Sequence, residues 1–236
     1  MIRALIVDDE PPAREELAVL LQETGAFEIL GSCANAMEAV KQINSFRPEV
    51  LFLDIEMPLL GGFELLGMID EETMPHVVFV TAYDEFALQA FEEKTLDYLL
   101  KPIDPERFSK TVAKLKGLLL SGERARYQAP PLARIPCLRA HKIKLVDPEE
   151  VEFIRSDPGG IMVAAGQGEF FTDLTLKVLE TRTPLVRCHK RFLVNLQKID
   201  EIQLIEGGLA EIQTRGGHTL PVSRRYLKGI REFLKF

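Results

Sequence analysis

Cysteine is scarce and long apolar runs are missing from the 236 residues. The three cysteines, Cys33, Cys137 and Cys188, are widely spaced and form no Cys-x-x-Cys pair. This argues against a disulfide framework and a structural zinc site, and it favours a reducing, cytoplasmic compartment. No segment approaches the roughly 18 consecutive apolar residues of a membrane helix, and the first apolar run turns acidic at Asp8. We therefore expect neither a membrane span nor a secretory signal.

The composition is that of a folded protein whose two halves differ in charge. Hydrophobic residues make up 46% of the chain, mean hydropathy is +0.02 and there are 14 phenylalanines, which excludes a largely disordered chain. The length fits one large domain or two ordinary ones. Residues 1–120 hold 10 basic and 22 acidic side chains, whereas residues 121–236 hold 19 and 14. This division indicates two domains with different partners, and the basic one can meet a polyanion.

In the first half, residues 1–120, short apolar runs alternate with segments of helical periodicity. The runs predict strands at 3–7, 27–32, 49–55, 76–82 and 97–100. Helices are predicted at 11–24, 36–46, 62–70, 84–93 and 105–120. Nearly continuous apolar runs are typical of strands that are buried on both faces. The fold class predicted for this half is therefore α/β, with a five-stranded parallel sheet covered by helices.

The second half changes character after a linker. Residues 121–136 contain three prolines, three arginines and little apolar periodicity, which predicts a mobile joint. Over residues 137–236, short strand-like runs separated by glycine pairs or Asp-Pro predict a mostly antiparallel β domain. Helical patterns occur at 174–181, around 189–195 and at 224–235.

Three acidic side chains follow strands that we expect to be neighbours. Asp8 and Asp9 come directly after the first strand, and Asp54 closes the third. In an open α/β sheet, ligands bind beyond the carboxyl ends of the strands, near the point where strand order reverses. Carboxylates gathered there repel one another, and Mg²⁺, a hard cation that takes oxygen ligands, relieves the repulsion. The backbone carbonyl of Glu56 is a candidate for a further ligand. The alternative for Asp8 and Asp9 is that they cap the following helix.

Two further strand ends supply groups that complement an anion. Thr81 closes the fourth strand with a hydroxyl donor, and Lys101 follows the fifth, with Pro102 behind it as a candidate cis peptide. A hydroxyl and an ammonium facing carboxylates and Mg²⁺ form a receptor for a phosphoryl group. We infer that Asp54 is a nucleophile that forms an aspartyl phosphate. Each residue alone is common at such a position, so the prediction depends on all of them together.

The segments LIVDDE, LFLDIEMP, FVTAY and YLLKPID resemble the receiver domain of two-component response regulators, over about residues 1–120. The resemblance implies a (βα)5 flavodoxin-like fold. The site residues it implies are the phosphoacceptor Asp54, the Mg²⁺ carboxylates Asp8 and Asp9, and the phosphoryl contacts Thr81 and Lys101. It also implies that Tyr98 changes rotamer when Thr81 is drawn inward. A dimer face from about residues 84–93 and 97–116 is implied too, with an ordinary solvated surface as the alternative.

Two segments of the second half are basic and contain no acid. Residues 187–198 and 212–231 contain the cations Arg187, Lys190, Arg191, Lys198, Arg215, Arg224, Arg225, Lys228 and Arg231. Such clusters supply phosphate contacts, and arginine can also read guanine in the major groove. Zinc-finger spacing and a convincing helix-turn-helix are both lacking, so contacts to DNA must come from loops and short helix ends. The alternative for the last helix is an amphipathic element whose cations face water, and a lone His189 is more often a packed or capping residue.

The segments LVRCHKRFLVNLQKI and PVSRRYLKGI resemble the LytTR DNA-binding domain of the LytR/AlgR response regulators, over about residues 137–236. That family is mostly antiparallel β and inserts loops into successive major grooves, typically at direct repeats. The resemblance carries a DNA-contacting role to Lys190, Arg191, Asn195, Arg224 and Arg225, and the same segments add Arg187, His189 and Lys228. The loop from Ser156 to Gly160 is a third contact region, but Gly159 and Gly160 carry no base-reading side chain. The order of domains also resembles regulators that are partnered with LytS-type membrane histidine kinases.

The sequence therefore predicts a phosphorylation-dependent transcriptional regulator. A sensor histidine kinase would phosphorylate Asp54, and the receiver would then favour a homodimer that binds repeated sites on double-stranded DNA. The protein would not be an enzyme beyond promoting its own phosphotransfer and dephosphorylation. One alternative is a receiver that controls a protein- or RNA-binding module. Another is a Mg²⁺ hydrolase, which would need a separate general acid and a substrate pocket.

Overall fold

The computed structural model describes residues 1–86, 90, 95–123, 125, 127, 130–139, 142–166, 168–205 and 209–234. The chain divides into two compact units, Met1–Pro130 and Pro131–Phe236. Among the described residues, no helix is long and apolar enough to cross a membrane.

The first unit is a parallel sheet covered by helices. Its strands are β1 (Ile2–Val7), β2 (Phe27–Cys33), β3 (Val50–Leu53), β4 (His76–Thr81) and β5 (Asp97–Leu100). Its helices are α1 (Pro11–Glu23), α2 (Ala36–Phe46), α3 (Gly62–Gly67) and α4 (Pro105–Ser121), with a short 3-10 helix at Glu71–Thr73. The strands lie side by side in the order β2-β1-β3-β4-β5, all parallel. This confirms the predicted α/β fold. Most of the predicted helix at 84–93 falls outside the described residues.

Burial on both faces of the central strands accounts for their apolar sequences. Every residue of β3 and β4 is buried. Aromatic side chains link the sheet to the last helix, since the Phe52 ring lies 5.8 Å from that of Phe27 and 6.5 Å from that of Phe108 on α4. The helices start at local signals: Asn35 accepts a hydrogen bond from the Glu38 amide at the start of α2, and prolines begin α1 and α4.

The strand order brings together the carboxyl ends that carry the predicted site. Strand order reverses between β1 and β3, which is where α/β sheets place their ligands. Backbone hydrogen bonds continue past the strand ends: the Asp54 amide donates to the Val7 carbonyl (2.8 Å), and the Lys101 amide donates to the Thr81 carbonyl (2.8 Å). The residues after β3 and β5 are thereby held in register with the ends of β1 and β4.

In its described residues, the second unit has two antiparallel sheets and two α-helices. Seven strands lie in the order β11-β12-β8-β9-β10-β6-β7, and three more in the order β13-β14-β15. The strands of the larger sheet are β6 (Ile135–Arg139), β7 (Lys142–Val146), β8 (Val151–Asp157), β9 (Gly160–Ala165), β10 (Gly168–Thr172), β11 (Val186–His189) and β12 (Phe192–Val194). The remaining elements are α5 (Leu176–Arg182), a 3-10 helix at Leu196–Lys198, β13 (Ile199–Ile205), β14 (Leu209–Thr214), β15 (Thr219–Val222) and α6 (Arg224–Leu234).

A shared core joins the small sheet, α6 and part of the large sheet. It is built from the buried side chains Phe153, Ala164, Cys188, Val194, Ala210, Ile212, Leu220, Val222, Leu227 and Ile230. The mostly antiparallel β architecture that was predicted for this half is therefore confirmed.

Two details of the second half differ from the sequence prediction. The helix predicted around 189–195 is wrong: these residues form a turn and β12, which pairs with β11 on one side and β8 on the other. Burial of Leu193 and Val194 between neighbouring strands outweighs the local helical pattern. In addition, Ile135 and Pro136, which were assigned to the linker, are the first residues of β6, and Ile135 is fully buried.

Candidate functional site

Three carboxylates meet at the carboxyl end of the parallel sheet. One oxygen each of Asp8, Asp9 and Asp54 lies within 4.8 Å of the other two. Asp8 and Asp54 are buried, and Asp9 is half-buried. Asp8 is not a cap of α1, because its Oδ1 accepts from the amide of Glu10, the residue before the helix (2.9 Å), and α1 has no side-chain cap. The capping alternative thus does not account for Asp8.

Lys101 bridges two of these acids. Its Nζ lies 2.7 Å from Asp8 Oδ2 and 2.8 Å from Asp54 Oδ2, and the following Lys101–Pro102 bond is cis, as expected. Burial lowers the pKa of Lys101, but its hydrogen bonds to Asp54 and Asp8 outweigh burial, so the pKa lies above its ordinary value. Burial raises the pKa of Asp8 by more than Lys101 lowers it. Lys101 therefore only partly offsets the cost of the buried carboxylates, and an additional positive charge would stabilise their charged forms.

Thr81 is buried at the end of β4, beside this cluster. Within the described part of the chain its Oγ1 has no hydrogen-bond partner. A buried hydroxyl without a partner is costly, typically ~1–3 kcal/mol. A group that arrives with acceptor oxygens would remove this cost.

Two glycines let the loop after β3 pass close to the cluster. A Cβ at Gly62 would lie 2.5 Å from the Asp54 carbonyl oxygen and 3.1 Å from the Phe79 ring, and one at Gly61 would lie 2.7 Å from the Ile55 carbonyl oxygen. Only glycine fits this approach. The loop borders an open cleft that Asp9, Asp54, Glu56 and Lys101 also line, so Glu56 lies at the site where a backbone ligand was predicted.

Tyr98 is linked to the cleft through a second tyrosine that sequence reasoning missed. The Tyr98 hydroxyl donates to the Tyr83 carbonyl, and a hydrogen bond between the Tyr83 hydroxyl and Glu56 raises the pKa of Tyr83. Burial, followed by the charges of Asp84 and Asp54, raises the pKa of Tyr98. The only sequence signal for Tyr83 is its place two residues after Thr81.

In the second unit, three predicted DNA-contacting segments meet at one edge of the large sheet. Because β11 and β8 both pair antiparallel with β12, the β11–β12 turn and the β8–β9 loop leave the same edge. They are bonded there: the Ser156 amide donates to the Arg191 carbonyl (2.8 Å), and Arg191 Nε donates to the Ser156 carbonyl (2.7 Å). The Ser223 amide donates to the Cys188 carbonyl (3.1 Å), which brings the start of α6 to the same edge.

Exposed cations cover this end of the strands, which we call the basic edge. Lys190, Arg191, Arg224, Arg225 and Lys228 are all exposed. On α6, Leu227 and Ile230 face the core, and the Arg225 guanidinium lies 5.5 Å from the centroid of the Tyr226 ring. The helix is thus amphipathic: its apolar side packs on the core, and Arg224, Arg225 and Lys228 are exposed.

His189 shapes the β11–β12 turn. Its Nδ1 accepts from the Arg191 amide (3.2 Å), so the ring proton is on Nε2. Burial and the nearby Lys190 and Arg191 hold the pKa of His189 below its ordinary value. The ring is therefore a neutral donor at this edge.

Asn195 and Arg187 are engaged inside the protein, which argues against their predicted role as direct DNA contacts. Asn195 is buried; its Oδ1 accepts from the Gln197 amide (3.0 Å), and its Nδ2 donates to the carbonyls of Glu149 and Val151. Arg187 donates to Glu180 Oε2 through Nε (2.9 Å) and Nη2 (2.6 Å). Both side chains hold the basic segment in place, because their donors and acceptors are used within the fold.

The β8–β9 loop is shaped by its own residues. The Gly159 amide donates to Asp157 Oδ1 (2.9 Å), and Gly160 has a φ of 127°. Arg155, at the end of β8, forms ion pairs with Asp157 (3.4 Å) and Glu169 (3.0 Å).

Comparison with known proteins finds a matching family for each of the two units. A family model of the response regulator receiver domain matches residues 4–113, and one of the LytTr DNA-binding domain matches residues 141–235. An uncharacterized response regulatory protein of Vibrio cholerae serotype O1 is 53% identical over 236 residues, which is 100% of each chain. The chain belongs to the response regulators with a LytTr DNA-binding domain.

Two further similar proteins are a curated regulator and a solved receiver domain. The transcriptional regulatory protein BtsR of Escherichia coli K12 is 48% identical over 241 residues, covering 98% of each chain. Among solved structures, the response regulatory domain of protein mrkE from Klebsiella pneumoniae is 32% identical, covers 51% of this chain and 99% of that one, and has a TM-score of 0.47. As a LytTr response regulator, the protein is a DNA-binding transcriptional regulator of a two-component system rather than a classical enzyme.

Receiver domains generally bind Mg²⁺ in an acidic pocket, and this LytTr response regulator has a matching aspartate cluster. The residues fit the ion in kind: the donors are carboxylate oxygens, which Mg²⁺ prefers. The burial that disfavours the charged form of Asp8 is the penalty that a cation would relieve.

Proposed function

We propose that Asp54 accepts a phosphoryl group from a sensor histidine kinase of the LytS type. The observation that carries this proposal is the convergence of Asp54 with two carboxylates, the Lys101 ammonium and a buried, unpartnered Thr81 hydroxyl. In the transfer, an Asp54 oxygen attacks phosphorus, the phosphorus–nitrogen bond of the kinase phosphohistidine breaks, and the histidine leaves. Asp8, Asp9 and Asp54, with the Glu56 carbonyl, would hold Mg²⁺, which supplies neutralisation of the phosphoryl charge.

Lys101 and Thr81 have complementary roles in this proposal. The ammonium, 2.8 Å from Asp54 Oδ2, needs only a small movement to contact a phosphoryl oxygen. Thr81 gains an acceptor for its buried hydroxyl when it donates to another phosphoryl oxygen. The same groups stabilise charge when water later removes the phosphoryl group, so the receiver promotes its own dephosphorylation as well.

In this proposal, a conformational change passes from Thr81 to Tyr98. Movement of Thr81 toward the phosphoryl group vacates space beside β4 and β5, and Tyr98 changes rotamer, giving up its hydrogen bond to the Tyr83 carbonyl. The altered surface, from about residues 84–93 and 97–116, then favours a homodimer. Two LytTr domains are thereby presented to direct repeats in double-stranded DNA.

The DNA contacts in this proposal are the exposed cations Lys190, Arg191, Arg224, Arg225 and Lys228, with neutral His189 as a donor. Their shared edge supports the assignment, because loops and a helix end that leave one side of a sheet can enter neighbouring grooves. Asn195 and Arg187 position these contacts from within the domain.

Selection of bound sequences from a pool of random duplexes tests the proposal. The full chain is used with Mg²⁺, with and without beryllofluoride as a phosphoryl mimic, and Asp54→Asn is the matched control. We expect beryllofluoride to increase recovery of a repeated motif with the native chain and to have no effect on Asp54→Asn. Equal recovery in all arms, or displacement of the duplex by RNA at equal concentration, would contradict the proposal and favour an RNA-binding output.

A further inference from the structure

The second unit contains a buried carboxylate that no predicted site includes. Glu152 lies on β8, and its side chain is 11% exposed. Its Oε1 accepts from the Gly216 amide (3.0 Å) and lies 3.2 Å from His218 Nδ1. Burial raises the pKa of Glu152, but hydrogen bonds from Thr214, His218 and Gly216 outweigh burial and lower it below its ordinary value. The carboxylate is therefore charged and held by the β14–β15 turn.

The turn is shaped to seat this carboxylate. A Cβ at Gly216 would lie 2.4 Å from one carboxylate oxygen of Glu152 and 2.5 Å from the other, so a methyl group there would force the carboxylate and the turn apart. Gly217 has a φ of 82°, which also favours glycine. The His218 ring packs against Phe153 with 5.0 Å between ring centroids. The turn of the small sheet thus docks on β8 of the large sheet.

The backbone around Glu152 is irregular at the same place. The pairing of β8 with β9 shifts register between Val151 and Phe153, and such bulges re-aim a side chain. The Glu152 carbonyl accepts from the Asn195 amide (3.0 Å), and the Val151 carbonyl accepts from Asn195 Nδ2 (3.0 Å). Residue 152 therefore binds the end of β12 through its backbone and the start of β15 through its side chain.

Both of these strands lead to the basic edge. β12 begins directly after the turn that carries Lys190 and Arg191, and β15 ends two residues before Arg224. With three and four residues, the strands span only about 10–13 Å. The Glu152 cluster is therefore separated from both groups of cations by one short strand each.

We propose that Glu152 is a positioning residue that fixes the β11–β12 turn relative to the start of α6. This inference rests on the proposed DNA contacts of those segments and adds what sets their spacing. Because Glu152 lies at the opposite end of β12 and β15 from the basic edge, it acts without touching DNA.

Distances between spin labels test the positioning directly. Labels are placed at Lys190→Cys and Lys228→Cys in the full chain, whose three native cysteines are buried. Glu152→Gln keeps the shape of the side chain but removes its charge, and Glu150→Gln makes the same charge change at an exposed position two residues away. Relative to the labelled native chain, we expect a broader or shifted distance distribution in Glu152→Gln. Glu150→Gln should leave the distribution unchanged. Equal distributions in the two variants would overturn the proposal.

Gly216→Ala provides a second variant should Glu152→Gln fail to fold, which far-UV circular dichroism would show. The added methyl displaces the turn from the carboxylate, so the distances should change in the same way. Unchanged distances in a folded Gly216→Ala protein would also contradict the proposal.

DNA binding without the labels gives the functional readout. The probes are a duplex selected by the native chain and a scrambled duplex of the same length and composition. Relative to Glu150→Gln, Glu152→Gln should bind the selected duplex about ten-fold more weakly and the scrambled duplex equally well, because the number of phosphate contacts is unchanged. Equal affinity of both variants for the selected duplex would contradict a positioning role. If the native chain selects no duplex, the proposed function fails, whereas the label distances still decide the role of Glu152.

Discussion

The side chain of Asp54 carries the phosphorylation proposal at the scale of single residues. Asp54→Asn should abolish labelling by acetyl phosphate, because an amide oxygen is a far weaker nucleophile than a carboxylate. Labelling of the full chain with radioactive acetyl phosphate and Mg²⁺ measures this, and Asp200→Asn, an exposed aspartate of the second unit, is the control. Label that persists at an unchanged level in Asp54→Asn would refute Asp54 as the acceptor.

Arg225 is the cation of α6 for which a base-reading role is predicted. It is exposed and lies beside the Tyr226 ring at the basic edge. Arg225→Ala should weaken binding to the selected duplex by about 1–3 kcal/mol and relax the preference at one base position. A panel of duplexes with single base changes measures both effects. Arg139→Ala, an exposed arginine of β6 outside the predicted contacts, is the control; an equal loss on every duplex would make Arg225 a phosphate contact.

At the residue scale, sequence pattern predicted the convergence of side chains at strand ends, but it missed contacts between residues distant in the sequence. Asp8, Asp54, Thr81 and Lys101 each follow an apolar run, so their convergence could be predicted once the strands were parallel. Asn195 could not be assigned from sequence, because its bonds go to residues more than 40 positions away. The Glu152 cluster likewise joins residues more than 60 positions apart.

At the scale of elements, an ion pair between Asp97 and the half-exposed Arg107 joins β5 to α4 on the predicted switch surface. Asp97 accepts from the Arg107 guanidinium and from the Thr111 hydroxyl (2.7 Å). Burial raises the pKa of Asp97, but these hydrogen bonds outweigh burial, so the pKa of Asp97 in the folded state lies below its ordinary value. A group with a depressed pKa contributes stability above its unfolded pKa and loses that contribution as the pH falls through its folded pKa.

Asp97→Asn should therefore destabilise the protein in a pH-dependent way. We expect a loss of about 2 kcal/mol at pH 7, which is modest because the Arg107 side chain is half exposed. The difference from the native chain should shrink as the pH falls below about 4. Urea unfolding of the full chain across this range measures it. A destabilisation that stays constant down to low pH would show that the charge of Asp97 is not what stabilises the contact.

The accuracy of the predicted strands and helices depends on how much of each element is determined by its local sequence pattern. The central parallel strands β3 and β4 were predictable because each is a short apolar run in which every residue is buried. The helix predicted around 189–195 is wrong because β12 has only three residues and depends on pairing with β11 and β8. Sequence pattern gives little warning of such short strands, because too few residues are present to show an alternation.

For the whole molecule, phosphorylation should couple the two units through dimer formation. Phosphorylation replaces the single negative charge of the Asp54 carboxylate with the roughly −1.5 to −2 charges of a phosphoryl group, and we expect Lys101 and a cation held by the aspartates to balance the added charge locally. The surface that we propose to pair has exposed acids at Asp84 and Glu85 and exposed lysines at Lys110 and Lys116. Opposite charges on one face allow pairing across a two-fold axis.

Sedimentation velocity of the full chain tests this coupling. With Mg²⁺ and beryllofluoride the native chain should shift from monomer toward dimer, whereas Asp54→Asn should stay unchanged. Because two linked LytTr domains bind a repeat with a raised effective concentration, affinity for a two-site duplex should rise roughly 100-fold or more, and affinity for a single site should change little. A rise in single-site affinity without a dimer would mean that phosphorylation acts within one chain, and it would refute the dimer model while leaving Asp54 as the acceptor.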